Sequence, residues 1–218
     1  MRKRLIIVLL SLVVVLTTGN RAESTEAPKG ELRNPEYDVL SIWIASKFAD
    51  RQHKEPLEPV GNGLAKIVIS DTTQSGDDEG LPDDNGRPIP WEKTAESVRK
   101  KAPTLQQTTI DSFREVNAKQ ASLRRSFHPL IDYELVDSTK LDSIFANKRD
   151  PWGAYYKQFP GSQGILTFSR VGFSTDGRQA FFYVSNRCGE LCGGGRYVVM
   201  ENSNGRWMIG KEIEKWVS

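Results

Sequence analysis

Cysteine and histidine are the scarce residues of this chain, with two of each among 218. Two histidines leave few of the usual general bases, and His53 and His128 lie in segments that share no pattern. A zinc centre would have to recruit both histidines together with both cysteines, so no metal or other cofactor is expected. No G-x-S-x-G elbow, Walker loop or H-E-x-x-H helix occurs. Ser97-Val-Arg-Lys100 has the S-x-x-K spacing of serine acyl-transferring enzymes, but its companion motifs are missing, and a match this short arises by chance. Carboxylate pairs for glycoside hydrolysis need to meet only in space, so a hydrolase with a carboxylate-based site stays open as an alternative.

Long apolar runs are equally scarce. The longest, Leu5 to Leu16, is interrupted only by Ser11 and has 12 residues, whereas a spanning helix needs about 20. It follows Arg2, Lys3 and Arg4 and precedes Thr17, Thr18 and Gly19. That is the pattern of a secretory signal peptide over residues 1–19, cleaved between about Gly19 and Ala22. The expected location is therefore periplasmic or extracellular, with the membrane met only through the leader. Charge of one sign is also lacking. Removing residues 1–19 takes three bases from the 30 and no acid from the 28, which leaves a net −1. A near-neutral chain has no cationic excess for phosphate backbones, so nucleic acid is excluded as an expected partner.

Residues 20–34 have no apolar period and predict a flexible entry segment, followed by one α+β domain over 35–218. Asn34 as N-cap, Pro35 and Glu36 predict a helix start, and Leu40, Trp43, Ile44 and Phe48 share one helical face. Leu64 to Ser70 predicts a strand. The carboxylates from Asp77 to Asp84 invite calcium, but the ligand spacing of a calcium loop is absent, so a solvated acidic loop is expected. Helix is predicted over 91–127 with a break at Pro103, a strand over Tyr133 to Val136, and a short helix over 139–147.

Runs at 165–173, 179–186, 196–201 and 206–213 are β-prone and are separated by Thr175-Asp-Gly177, a cysteine–glycine segment and Asn202-Ser-Asn-Gly205. They predict a C-terminal antiparallel four-stranded meander, with N-terminal helices packed on a sheet face. In the last run Trp207, Ile209 and Ile213 are expected on the buried side.

The stretch carrying Phe168-Ser-Arg-Val-Gly-Phe173, Cys188-Gly-Glu-Leu-Cys192-Gly-Gly-Gly195 and Gly205-Arg-Trp207-Met-Ile209 resembles a group of small uncharacterised exported bacterial proteins. In that group an FSRVGF-type strand precedes a C-G-x-L-C-G-x-G loop and a terminal G-x-W-x-I strand. The resemblance covers the last third of the chain and the segment from Tyr133. It implies export and an α+β architecture and transfers no catalytic residue. The G-x-W-x-I ending also resembles cone-shaped α+β domains of the nuclear-transport-factor-like type, at the level of fold alone.

Both cysteines lie in one loop, where three intervening residues and the flanking glycines allow Cys188 and Cys192 to close a small disulfide ring in an oxidising compartment. A thiol–disulfide protein using that C-x3-C loop is a further alternative. Trp152, Tyr155 and Tyr156, with Phe159, lie between Pro151 and Pro160 and are the binding candidates, because such side chains supply contact area at low entropic cost. The competing reading is that they cover one face of the sheet. The expected function is non-catalytic binding of a small molecule or protein.

Overall fold

The computed structural model describes residues 32–48, 66–74, 89–128, 132–146 and 149–218. The expected leader, most of the entry segment, His53 and the acidic loop from Asp77 to Asp84 lie outside the described residues. The helices are α1 (Asn34–Phe48), α2 (Trp91–Lys101), α3 (Gln107–Val116), α4 (Ser138–Phe145) and α5 (Pro151–Gln158). The strands are β1 (Lys66–Ser70), β2 (Tyr133–Val136), β3 (Ser162–Phe168), β4 (Gly172–Phe173), β5 (Gln179–Gly189), β6 (Cys192–Ser203) and β7 (Arg206–Val217).

They form one α+β unit around a seven-stranded sheet of order β2-β1-β3-β5-β6-β7, with β4 pairing on β5. β1 runs parallel to β2 and β3, and the remaining pairs are antiparallel. The sheet is thus larger than the four β-prone runs. The first of those runs is two strands, because the chain leaves the ladder at Ser169–Val171.

Helices cover both faces rather than one. On one face α1 contributes Tyr37, Leu40, Trp43 and Ile44, which pack with Leu123 and Phe127 over Ile67, Ile69, Leu166, Phe168, Phe182 and Met200. On the other, α2 and α3 place Val98, Ile110 and Phe113 over Phe181, Tyr197 and Ile213. Also on that face, α4 and α5 place Ile144, Tyr155 and Phe159 over Val68 and Ile165. The physical cause is visible in β1 and β5. Ile67-Val-Ile69 and Ala180-Phe-Phe-Tyr-Val184 are apolar without alternation, as strands buried on both sides must be.

Three boundaries differ from expectation. Leu32 is fully buried, so packing begins inside the segment expected to be flexible, and Glu36 accepts the Arg33 N–H at 3.3 Å, which moves the helix cap one residue upstream of Asn34. Residues 117–127 are not helical. Ala121 and Leu123 are buried while Ser122 and Arg124 are exposed, and the segment bonds to β1's extension through Thr73 N to Ala121 O at 2.8 Å and Leu123 N to Asp71 O at 2.6 Å. α4 begins at Ser138, one residue before the expected start, and its cap is Asp137, whose carboxylate accepts Thr139 N at 2.7 Å.

In β7 the pairing with β6 is irregular between Val199 and Met200, which face Lys211 and Ile209. The extra residue, Gly210, is a bulge that reverses the side-chain phase. Trp207 and Ile209 therefore lie half-buried on the α1 face, while Ile213 is buried on the opposite one.

Candidate functional site

β5 and β6 continue past the expected strand ends to a two-residue turn, Glu190-Leu191, so the cysteine–glycine segment is the end of a hairpin rather than a separate loop. Cys188 and Cys192 are joined by a disulfide with Cα atoms 5.0 Å apart. Five-residue closure leaves the middle of the ring nowhere to pack, and Leu191 is 89% exposed. Leu191 was not legible as a site residue from composition; the signal was its place between the two cysteines of C-x3-C.

The glycines after Cys192 are seats for other side chains. A Cβ on Gly195 would lie 2.0 Å from Tyr183 Oη and 2.2 Å from Trp216 Nε1, and those two atoms are hydrogen-bonded at 2.7 Å directly above it. A Cβ on Gly193 would meet Trp216 Cζ3 at 3.2 Å. Lys215 adds its ammonium over the rings of Tyr183 and Tyr197, 5.1 and 5.6 Å from their centroids.

The aromatic segment is α5, started by Asp150, whose carboxylate accepts Gly153 N at 2.8 Å, with Pro151 in the first turn. Its side chains separate by depth. Tyr155 is fully buried and donates to Gly164 O at 3.0 Å. Burial pushes its hydroxyl well above the ordinary tyrosine range. Its ring lies among those of Phe145, Trp152, Tyr156 and Phe159, so it is core rather than contact surface. Trp152 and Tyr156 are half-buried, 6.0 Å apart between ring centroids. Burial also raises the Tyr156 hydroxyl, which donates to Cys188 O at 2.8 Å.

That bond brings the two singled-out features together. Helix α5 and the disulfide hairpin meet at one corner: Tyr156 is bonded to the ring that presents Leu191, and Trp152 lies next to Tyr156. Arg149, Asp150, Lys157, Arg187 and Glu190 are exposed in the same segments.

Other candidates are placed elsewhere. Ser97 and Lys100 are exposed on α2, where Lys100 pairs with Glu96 at 2.9 Å. His128 is exposed, and its backbone N–H donates to Ser41 Oγ at 2.8 Å. Arg170 lies between β3 and β4 and clamps the buried Glu36, with Nη2 to Oε1 at 2.7 Å; Val171 N adds a bond to Oε2 at 3.1 Å. At the carboxyl ends of β1 and β2, Thr72 Oγ1 lies 3.2 Å from Ser138 Oγ and donates to Asp71 Oδ1 at 3.0 Å, and Asp71 also accepts Ser138 N at 2.9 Å. These bonds knit the β1 extension to the start of α4. Among the described residues no group of three His, Cys, Asp or Glu is placed to hold a metal, and no helix is long and apolar enough to cross a membrane. No protein-family model, curated protein or solved structure matches the chain.

Proposed function

We propose that the protein is an exported, non-catalytic binding module that contacts a protein partner through the corner formed by Trp152, Tyr156 and the Leu191 tip. The observation that carries this reading is the 89% exposure of Leu191 on a hairpin end held by a disulfide and by the Tyr156 bond to Cys188 O. A large apolar side chain fixed in water by two constraints is poised to bury area with little loss of entropy on contact. Half-exposed Tyr156, bonded to the ring at Cys188 O, and Trp152 next to it are the residue types that dominate interface energies, and the exposed charges of the same segments suit a polar rim. A convex tip of this kind fits a protein surface better than it encloses a small molecule. The disulfide and the leader-like amino terminus support an oxidising, exported setting.

The test is affinity capture from the envelope fraction or medium of the producing cells, followed by titration with the purified captured protein. Saturable binding to the native protein, weakened about 100-fold or more by Trp152→Ala with Leu191→Ser at unchanged circular dichroism, is the expected result. Equal binding by the variant, or no saturable partner, overturns the reading.

A further inference from the structure

The disulfide lies at the end of the β5–β6 ladder, and its two cysteines differ in exposure. Cys188 is half-buried, its carbonyl accepts the Tyr156 hydroxyl at 2.8 Å, and its Cβ lies 2.9 Å from where Gly164 of β3 would carry a Cβ. Cys192 is exposed and begins β6, the second strand of the hairpin. Inward from the ring, β5 and β6 remain paired from Arg187↔Gly193 to Gln179↔Glu201. The buried core residues of those strands begin at Val184 and Tyr197, away from the tip.

We propose that this disulfide is a reducible site in the folded protein, with small dithiols as the reactant class and Cys192 as the sulfur that is attacked. Exchange requires a thiolate to approach along the sulfur–sulfur axis, so the more exposed cysteine, Cys192, takes the nucleophile and the half-buried Cys188 supplies the leaving sulfur. The reductant thiolate forms a bond to Cys192 Sγ as the Cys188–Cys192 bond breaks, and Cys188 Sγ departs as a thiolate and is protonated. The second thiol of the same dithiol then attacks its partner sulfur in the mixed disulfide and releases the Cys192 thiolate, which takes up a proton. The dithiol is oxidised to a cyclic disulfide, and the cysteine pair gains two electrons and two protons. Because the ladder continues beneath the ring, the hairpin survives and only the Leu191 tip is released. This inference concerns the chemistry of the ring and stands whether or not the tip binds a partner.

The oxidised protein is incubated with dithiothreitol without denaturant, and reduction is followed by mass spectrometry and circular dichroism. Complete reduction with unchanged far-ultraviolet signal, at a rate unaffected by low urea, is expected. In a parallel incubation with glutathione, quenched in acid, peptide mapping should place the mixed disulfide on Cys192 in about ten-fold excess over Cys188. A rate that climbs with urea as unfolding does, or an adduct found equally on both cysteines or mainly on Cys188, overturns the proposal.

Discussion

Glu36 is fully buried, and its carboxylate is met by Arg170 Nη2, Val171 N and Arg33 N, so a single charge ties the start of α1 to the link between β3 and β4. Removing the Arg170 guanidinium leaves that buried charge with the two amides and the exposed Arg33 side chain, whose Nε lies 3.7 Å from Oε1. Arg170→Met should therefore cost about 3–5 kcal/mol in urea denaturation, and adding Glu36→Gln should recover part of it. Trp43 and Trp207 make a second contrast. Trp43 is 4% exposed, lies edge-on to Phe48, Phe168 and Phe182, and donates to Glu212 Oε1 at 2.9 Å, whereas half-buried Trp207 meets Phe173 at 6.0 Å. Trp43→Ala should cost about 3–5 kcal/mol and Trp207→Ala about half as much. The helical spacing of Trp43 made its burial readable; the depth of Trp207 was not readable, because it depends on tertiary neighbours such as Phe173, which is remote in sequence. Glu212 also carries a pH signature. Burial pushes its carboxyl up, but hydrogen bonds from Lys47 and Trp43 and the charges of Lys47 and Arg196 outweigh it and hold the group below its ordinary value. A depressed carboxylate stabilises the fold above its unfolded value and loses that contribution as pH falls through the folded one. Glu212→Gln should accordingly lower stability at neutral pH and flatten the acid limb of a denaturation-against-pH curve.

The elements differ in how far local chemistry specified them. The Asn204-Gly205 turn was legible because both residues adopt positive φ, 54° and 81°, as a tight hairpin requires. The β7 phase was not, because a bulge at Gly210 inserts one residue without altering the β-prone composition on either side. Residues 117–127 were expected to continue the helix, yet Ala121 and Leu123 alternate with exposed neighbours, and the backbone bonds to Asp71 and Thr73 decide the conformation. The hairpin joins local and tertiary causes. Its glycine run could be seen in the sequence, but the reason for Gly195 is Trp216, 21 residues later, whose indole N–H bonds to Tyr183 Oη above it. Gly195→Ala should force those rings apart, costing about 1–3 kcal/mol and shifting the Trp216 emission. Opening the ring covalently should do less to the core. Cys188→Ser with Cys192→Ser is expected to lower stability by roughly 2 kcal/mol, since the closed loop is short.

At the scale of the whole molecule, the aromatic segment illustrates what one sequence can and cannot disclose. Clustering of Trp152, Tyr155 and Tyr156 was evident, but helical geometry divides them: Tyr155 points into the sheet, and the other two remain at its margin. That division depends on α5 lying over β1 and β3, a parallel arrangement that no local pattern announces. The same arrangement predicts how the protein unfolds. Each long inner strand feeds both faces. Leu166 packs toward α1 and Ile165 toward α5, Phe182 toward α1 and Phe181 toward α3, and Met200 toward α1 and Val199 toward α3. Stripping either layer of helices would expose apolar residues on strands that the other layer still needs, so the layers should melt together. Trp43 reports one face and Trp152 the other. In urea, the fluorescence transitions of Trp43→Phe and Trp152→Phe proteins should each coincide with their far-ultraviolet circular dichroism. If the signal lost with Trp152 belongs to an earlier transition than the signal lost with Trp43, α4 and α5 open as a separate unit, and the shared strands do not couple the two faces.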